Sequence, residues 1–488
     1  MTFDNKPGSF LKATHTQEHK KLLNAAPKGD RYADDWAKRG ERLREEGRYL
    51  QAVAAFQRAV EAKPAYDWAW AHMGEALRQA ERYQEAIAAL DRAIELSPEY
   101  RWALAAKGQA LRQMGAYEEA VVALERTLQV DPAYDWAWAQ KGEALREWGE
   151  YDRALAAFDR AIELNAEYSW AWAHKAETLR QMGRQEEALG AFDQAIALLP
   201  DYAWALCSKG QVLGQMQRYD EAVAALDAGL LISPTFDWAW AEKGDVLRKL
   251  NRHQQALAAF NEALEINPNY AWALAHKGTT LRQSGDPERA IVPLKRATEI
   301  DPNYSWAFAE LGEAHRLAGN YEQAAAAFDR ATEIQPEYPW AWGSKGQALR
   351  QAGHRERALA ALNVALEQDG SMVWAWGEKG QTLHEMARFE EAIAAFDQAL
   401  TLEPNYGWGI AHKGSSLRRL SRYEEALEML EQAISADPNY TWAWAEKGLA
   451  LQEAGRLPEA LFAYERALEL DPDYQWAQDR REEVLVQL

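Results

Sequence analysis

Tryptophan, arginine and histidine are the residues of this chain whose placement invites a chemical reading. The 488 residues hold 22 Trp against 12 Phe, so indole is used systematically. Ten histidines are present, but His72, His174 and His276 stand far apart at a constant separation and cannot share one metal ion. No H-E-x-x-H pair, Walker loop, G-x-S-x-G elbow or dinucleotide fingerprint occurs. His315 replaces a usual Leu and reads as a core-edge residue. The single cysteine, Cys207, excludes an intramolecular disulfide framework and any multi-thiolate metal site, and fits a reducing compartment. Acidic residues such as Glu85, Asp91 and Glu95 fall on an outward helical face, where carboxylates solvate rather than catalyse. These features predict recognition chemistry without a catalytic centre, a metal or a cofactor.

The charge balance narrows the partners. With 75 acidic and 55 basic residues the formal charge is −20. That charge opposes the counterion release that drives binding to nucleic acid, and anionic lipid repels it. Neither nucleic acid nor membrane is an expected partner. The first residues, MTFDNKPGSFLKATHTQEHKK, carry no apolar targeting core, and no run approaches membrane-spanning length. A cytoplasmic location is expected.

The elements that position these residues are repeated. The block from Tyr66 to Glu99 returns every 34 residues without an insertion. Counting the residue after each Tyr as position 1, units begin at Ala33, Asp67, Arg101, Asp135, Ser169, Ala203, Asp237, Ala271, Ser305, Pro339, Val373, Gly407 and Thr441. Apolar residues at positions 3, 4, 8, 10 and 11, then at 20, 21, 24, 27 and 28, predict two helices per unit. Gly at position 15 (Gly47, Gly115, Gly149, Gly183, Gly285, Gly319, Gly353, Gly455) suits a left-handed helix end. Pro at position 32, as in Pro64 and Pro98, stops the second helix. Gly or Ala at position 8 and Ala at 20 and 27 let the pair approach closely. One such pair cannot bury both apolar faces, so each must stack on the next, which predicts an all-α solenoid.

The expected organisation is a basic tail over residues 1–32, thirteen repeats over 33–474, and a capping helix over 475–488 that turns polar at Asp479–Glu483. The tail either forms a capping helix over Thr16–Ala26 or docks on a partner. Pro293 inside a second helix, and Gln368–Val373 (QDGSMV), which lacks both Pro and Tyr, are expected irregularities.

Trp70, Gly74, Leu77, Ala86, Leu90, Ala93 and Pro98 fall where the tetratricopeptide repeat places its signature residues, and the chain resembles that family over 33–474. The resemblance implies a right-handed superhelical solenoid of 34-residue helix-turn-helix repeats, with first helices on the concave side. It makes position 4 (Trp70, Trp138, Trp172, Trp240, Trp342, Trp376, Trp444) a core site. Position 7 departs from the family: Lys replaces its Leu, as in Lys107, Lys141 and Lys345, and a Lys stem still covers apolar surface. Relatives that clamp a C-terminal carboxylate use Lys at position 5 and Asn at position 9, and both are missing here.

With the core assigned, positions 2, 5, 6, 9, 12 and 13 share the remaining face of the first helix. Position 2 is Trp68, Trp102, Trp136, Trp170, Trp204, Trp238, Trp272, Trp306, Trp340, Trp374, Trp408 and Trp442, continued by Trp476. Position 5 is small throughout, leaving space beside each indole. Position 12 supplies Arg78, Arg112, Arg146, Arg180, Arg248, Arg282, Arg316 and Arg350, and position 9 supplies Glu75, Glu143, Glu177 and Glu313. One reading is a groove of aromatic rungs and guanidinium forks that holds a protein or peptide segment of mixed apolar and acidic character. The other is that each indole only joins neighbouring repeats and stacks on an Arg. Position 6 varies (His72, Ala106, Gln140, His174), either to discriminate guests or under loose constraint. The expected function is a non-catalytic protein-interaction scaffold; the alternatives are a target-recognition or regulatory subunit of a larger assembly, and a ligand-free spacer.

Overall fold

A computed structural model of the chain describes residues 28–488, with side chains from Arg31 onward; the capping helix expected over Thr16–Ala26 lies outside the described residues. The described residues form 27 α-helices and no strand. The first helix, Lys28–Glu45, begins ahead of the repeat pattern, and every later unit pairs a helix at positions 1–13 with one at positions 17–30, as in Asp67–Gln79 and Tyr83–Leu96. The chain divides into two compact units, Met1–Pro234 and Thr235–Leu488, and the same construction holds within each.

The eight glycines at position 15 all take positive φ, from +75° to +89°. Five units make the same turn without glycine, with Glu81, Gln217, Asn251, Ala387 and Ser421 held at φ between 57° and 62°. The turn is therefore set by the helix pair and not by glycine alone. The close approach expected at position 8 is present. A Cβ on Gly74 would meet Leu90 Cγ at 2.6 Å, and one on Gly142 would meet Phe158 Cε1 at 2.8 Å. Position 24 is thus the residue that fills the space glycine leaves, and Phe56, Phe158, Phe192, Phe260, Phe328 and Phe396 are fully buried there.

The two sequence irregularities are absorbed. The helix Pro287–Ile300 runs uninterrupted through the buried Pro293. At QDGSMV the Asp369 carboxylate accepts from the Ser371 backbone N–H (3.0 Å) and hydroxyl (2.6 Å), and Met372, which stands in place of the missing Tyr, packs with Trp374 on Leu362, Leu366 and Ala375.

Within each unit the first helices of successive repeats touch directly, as Asp67–Gln79 does Arg101–Gln113. No comparable contact joins successive second helices among the described residues. First helices therefore crowd together on the inner side of the stack.

Candidate functional site

The position-2 indoles are neither sealed nor free. Each of them, from Trp68 to Trp476, is half-buried. All but Trp374, which follows Met372, rest on the aromatic residue two positions before them, as in Tyr66–Trp68 (6.1 Å between centroids) and Tyr304–Trp306 (5.8 Å). Where position 24 is Phe, the next indole meets it edge-on or steeply tilted, as Phe56 does Trp68 at 6.1 Å. Position 5 is small because the following indole occupies that volume: a Cβ on Gly343 would lie 2.6 Å from Trp374 Cη2, and one on Gly377 3.0 Å from Trp408 Cζ3. The space expected beside each indole is thus taken by its neighbour.

Four imidazoles extend this stack. His72 lies between Trp68 (3.9 Å) and Trp102 (4.6 Å), and His174 between Trp170 (3.8 Å) and Trp204 (5.0 Å). His276 lies between Trp272 (4.0 Å) and Trp306 (4.6 Å), and His412 between Trp408 (4.0 Å) and Trp442 (4.3 Å). Three of them also face a carboxylate of the preceding repeat: His72 with Glu41 (3.2 Å), His174 with Glu143 (2.9 Å), His276 with Asp245 (3.4 Å). Burial opposes ionisation of Glu143, yet His174 and Arg146 together hold its carboxyl well below the usual carboxylate range.

The guanidinium forks are engaged within the chain. Arg78 is held by Glu75, Arg146 by Glu143, Arg180 by Glu177 and Arg316 by Glu313, each through Nε at 2.8–2.9 Å. The four position-9 glutamates named as groove residues are therefore the partners of four of its arginines. Arg248 donates to Asp245 through Nε (3.1 Å) and Nη2 (2.6 Å). Where position 9 is not acidic, the carboxylate comes from position 6 of the next repeat: Arg282 from Glu310 (2.8 Å), Arg350 from Glu378 (2.9 Å) and Arg418 from Glu446 (3.3 Å). Arg112 has neither and instead donates to Glu147 at 2.7 Å.

This accounts for the Glu and His found at position 6, whose variation sequence reasoning left between guest discrimination and drift. These two residue types follow position 9 and position 24 of the preceding repeat, whereas Ser208, Ser344 and Gln140 do not. Glu310, Glu378 and Glu446 follow Thr279, Gln347 and Ser415, and each also follows a Leu at position 24. His72, His174, His276 and His412 each follow a Phe, with ring centroids 6.2–6.4 Å apart. The signal was present in the sequence, but only as a correlation between one unit and the next.

The position-4 tryptophans are half-buried, pack against the core clusters as expected, and also join a first helix to the loop before it. Trp70 Nε1 donates to the Pro64 carbonyl (2.9 Å), Trp138 to Pro132 (3.0 Å), Trp342 to Pro336 (2.9 Å) and Trp376 to Gly370 (2.9 Å). The Lys at position 7 lies over the same ring, with Lys345 Nζ 4.1 Å from the Trp342 centroid. It also reaches an acid on the preceding second helix, as Lys345 does Asp329 (2.6 Å). Lys at this position thus combines a cation–π contact with an ion pair.

Among the described residues no group of three or more His, Cys, Asp or Glu is arranged to hold a metal ion, and no helix is long and apolar enough to cross a membrane. Burial pushes the Cys207 thiol up to about 12, which leaves it a small packing residue.

Models of the tetratricopeptide repeat match residues 43–110, 77–141, 281–348 and 316–375. Further models of the same repeat match 237–303, 413–474, 373–406, 137–168 and 205–236, and a TPR repeat model matches 176–217. The chain belongs to the tetratricopeptide repeat family. No curated protein matches it. Among solved structures it is similar to the APC/C hetero-tetramer Cut9–Hcn1, at 14% identity and a TM-score of 0.47 over 97% of this chain and 99% of that one. It is also similar to YrrB, a TPR protein with an unusual peptide-binding site, at 24% identity and a TM-score of 0.34 over 38% of this chain and 95% of that one.

Proposed function

We propose that the chain is a non-catalytic protein-interaction scaffold whose first-helix face holds a peptide or protein segment. The observation that carries this reading is the half-burial of every position-2 indole. Each ring is fixed by its neighbours and still keeps an accessible edge. Rigid aromatic rungs of this kind supply contact area at low entropic cost, as in binding hot spots. The guanidinium forks are a lesser source of affinity, because their carboxylates come from within the chain. Polar hydrogen-bonding edges would then orient the guest and the indoles would hold it. A cytoplasmic setting and a soluble protein partner fit the charge of −20.

The spacer reading draws on one specific observation, the close fit of Trp374 on Gly343. Changing Trp204, Trp238 and Trp272 to Ala separates the two. A scaffold loses capture of its partner from native extract while circular dichroism retains the helix content. A spacer captures nothing specific even as wild type, and the substitutions lower only its melting temperature.

A further inference from the structure

The inner face pairs its position-12 arginines with carboxylates, and three repeats break the pattern: Gly214, His384 and Gln452 stand at position 12 of repeats 6, 11 and 13. At repeat 11 an opening results. There His384 stands at position 12 and Gln381 at position 9. The next repeat carries only Ser415 at position 9. None of the three supplies an acid, and Ser415 is short. The result is a cleft of about 750 Å³ lined by His384, His412, Arg418, Arg419, Trp442 and Arg480, among others.

The cleft is electropositive in a chain that is strongly acidic. Three arginines and two glutamates line it. Both glutamates are spent on a single arginine, since Arg418 donates to Glu446 (3.3 Å) and to Glu453 (2.7 Å). Arg419 is exposed and lies over the Phe389 ring at 4.9 Å. Arg480 occupies position 6 of the last helix, where the preceding repeat has Glu446; it lies 5.7 Å from the Trp476 ring centroid and pairs with Glu483 of its own helix (2.7 Å), an exposed surface pair that water weakens.

The imidazoles carry the same imprint. His72, His174 and His276 each face a carboxylate, whereas His412 lines the cleft together with Gln381, whose Oε1 is buried without a hydrogen-bond partner. His384 Nδ1 is 2.9 Å from the Ser416 hydroxyl. Burial, with Arg419 and Arg418 nearby, pushes His384 down to about 4. Among the described residues no carboxylate pairs with Arg419, and Trp442 and Trp476 line the same cleft.

We propose that this cleft receives an acidic segment of the protein partner, its Asp or Glu carboxylates on Arg419 and Arg480 and an adjoining apolar side chain against Trp442 and Trp476. This rests on the groove reading above and gives it a location and a charge preference.

The test is titration of the full chain with the fluorescent peptide Glu-Glu-Phe-Glu-Glu and its counterpart in which every Glu is Gln. The acidic peptide binds at least tenfold more tightly to wild type than the Gln peptide does. Arg419→Glu with Arg480→Glu abolishes that preference. Gln381→Glu with His384→Arg restores the internal pair found in other repeats, fills the cleft and weakens binding by a similar factor without lowering the melting temperature. Equal affinity for the two peptides, or an acidic preference unchanged in both double variants, overturns the proposal. Loss of partner capture on Trp204, Trp238 and Trp272 substitution would still stand in that case, so failure of the cleft and failure of the groove are distinguishable.

Discussion

The Glu143 carboxylate lies 2.9 Å from Nδ1 of His174, one repeat further along the chain. Glu143 also holds Arg146 of its own repeat at 2.7 Å. One acid thus serves two repeats. Where the acid moves to position 6, as in Glu310, it still reaches back to the arginine of the preceding repeat, Arg282.

The acid is therefore transferable across a junction. Glu310→Ser leaves Arg282 half-buried without its partner and should cost about 2 kcal/mol, within the range for hydrogen bonds to charged groups. Adding Thr279→Glu recreates the arrangement of Glu313 and Ser344 and should recover most of that loss. Urea midpoints of the single and double variants check it. Strictly additive effects would show that the two positions do not share one role.

Stability should fall in acid through His412. Burial, with His384 and Arg350 nearby, pushes its imidazole down to about 3. The unfolded chain takes up this proton below about pH 6.5 while the folded one does not. The contribution is complete above pH 6.5 and is lost as pH falls toward 3. His412→Phe keeps a ring between Trp408 and Trp442 and removes the titration. Melting temperature against pH should then be flatter over that window.

Ala387 adopts φ of 57° where eight other units place glycine. Ala387→Gly relieves a conformation that costs a side-chain-bearing residue about 1–2 kcal/mol, offset by the greater freedom of glycine in the unfolded chain. A net gain of about 0.5–1 kcal/mol is expected. Asn251→Gly should change little, because Asn tolerates this region. Denaturant midpoints for the two variants provide the comparison.

Gly142 governs the approach of two helices. Its Cβ position lies 2.8 Å from Phe158 Cε1, while the next repeat accommodates Ala176 at the same site. Gly142→Ala should cost no more than about 1 kcal/mol, and Gly142→Leu about 3 kcal/mol or more, since overpacking forces the helices apart. A thermal melt in which both variants behave alike would contradict this.

Much of the molecule was legible in the amino-acid order because its determinants are local. Helix period, the proline stops, the small residues at position 8 and the left-handed glycines each act within a few residues of where they stand. The face that carries positions 2, 5, 6, 9, 12 and 13 was legible for the same reason. The half-buried joints made by Trp70 and Trp342 were not, because the Pro64 and Pro336 carbonyls that receive them belong to the preceding loop.

Periodicity alone specified a stack of paired helices and the residues that face its inner side, since both follow from helical geometry and steric size. Which of those residues bind one another was decided by the packing of one repeat on the next. That packing brings Arg350 to Glu378 and Gly343 to Trp374, pairs some thirty residues apart. Their meeting depends on how neighbouring first helices lie side by side, a relation that no single repeat contains. The same packing turned an apparently open row of indoles and guanidinium forks into a largely self-paired surface, and it left the cleft at His384 where the pairing rule breaks.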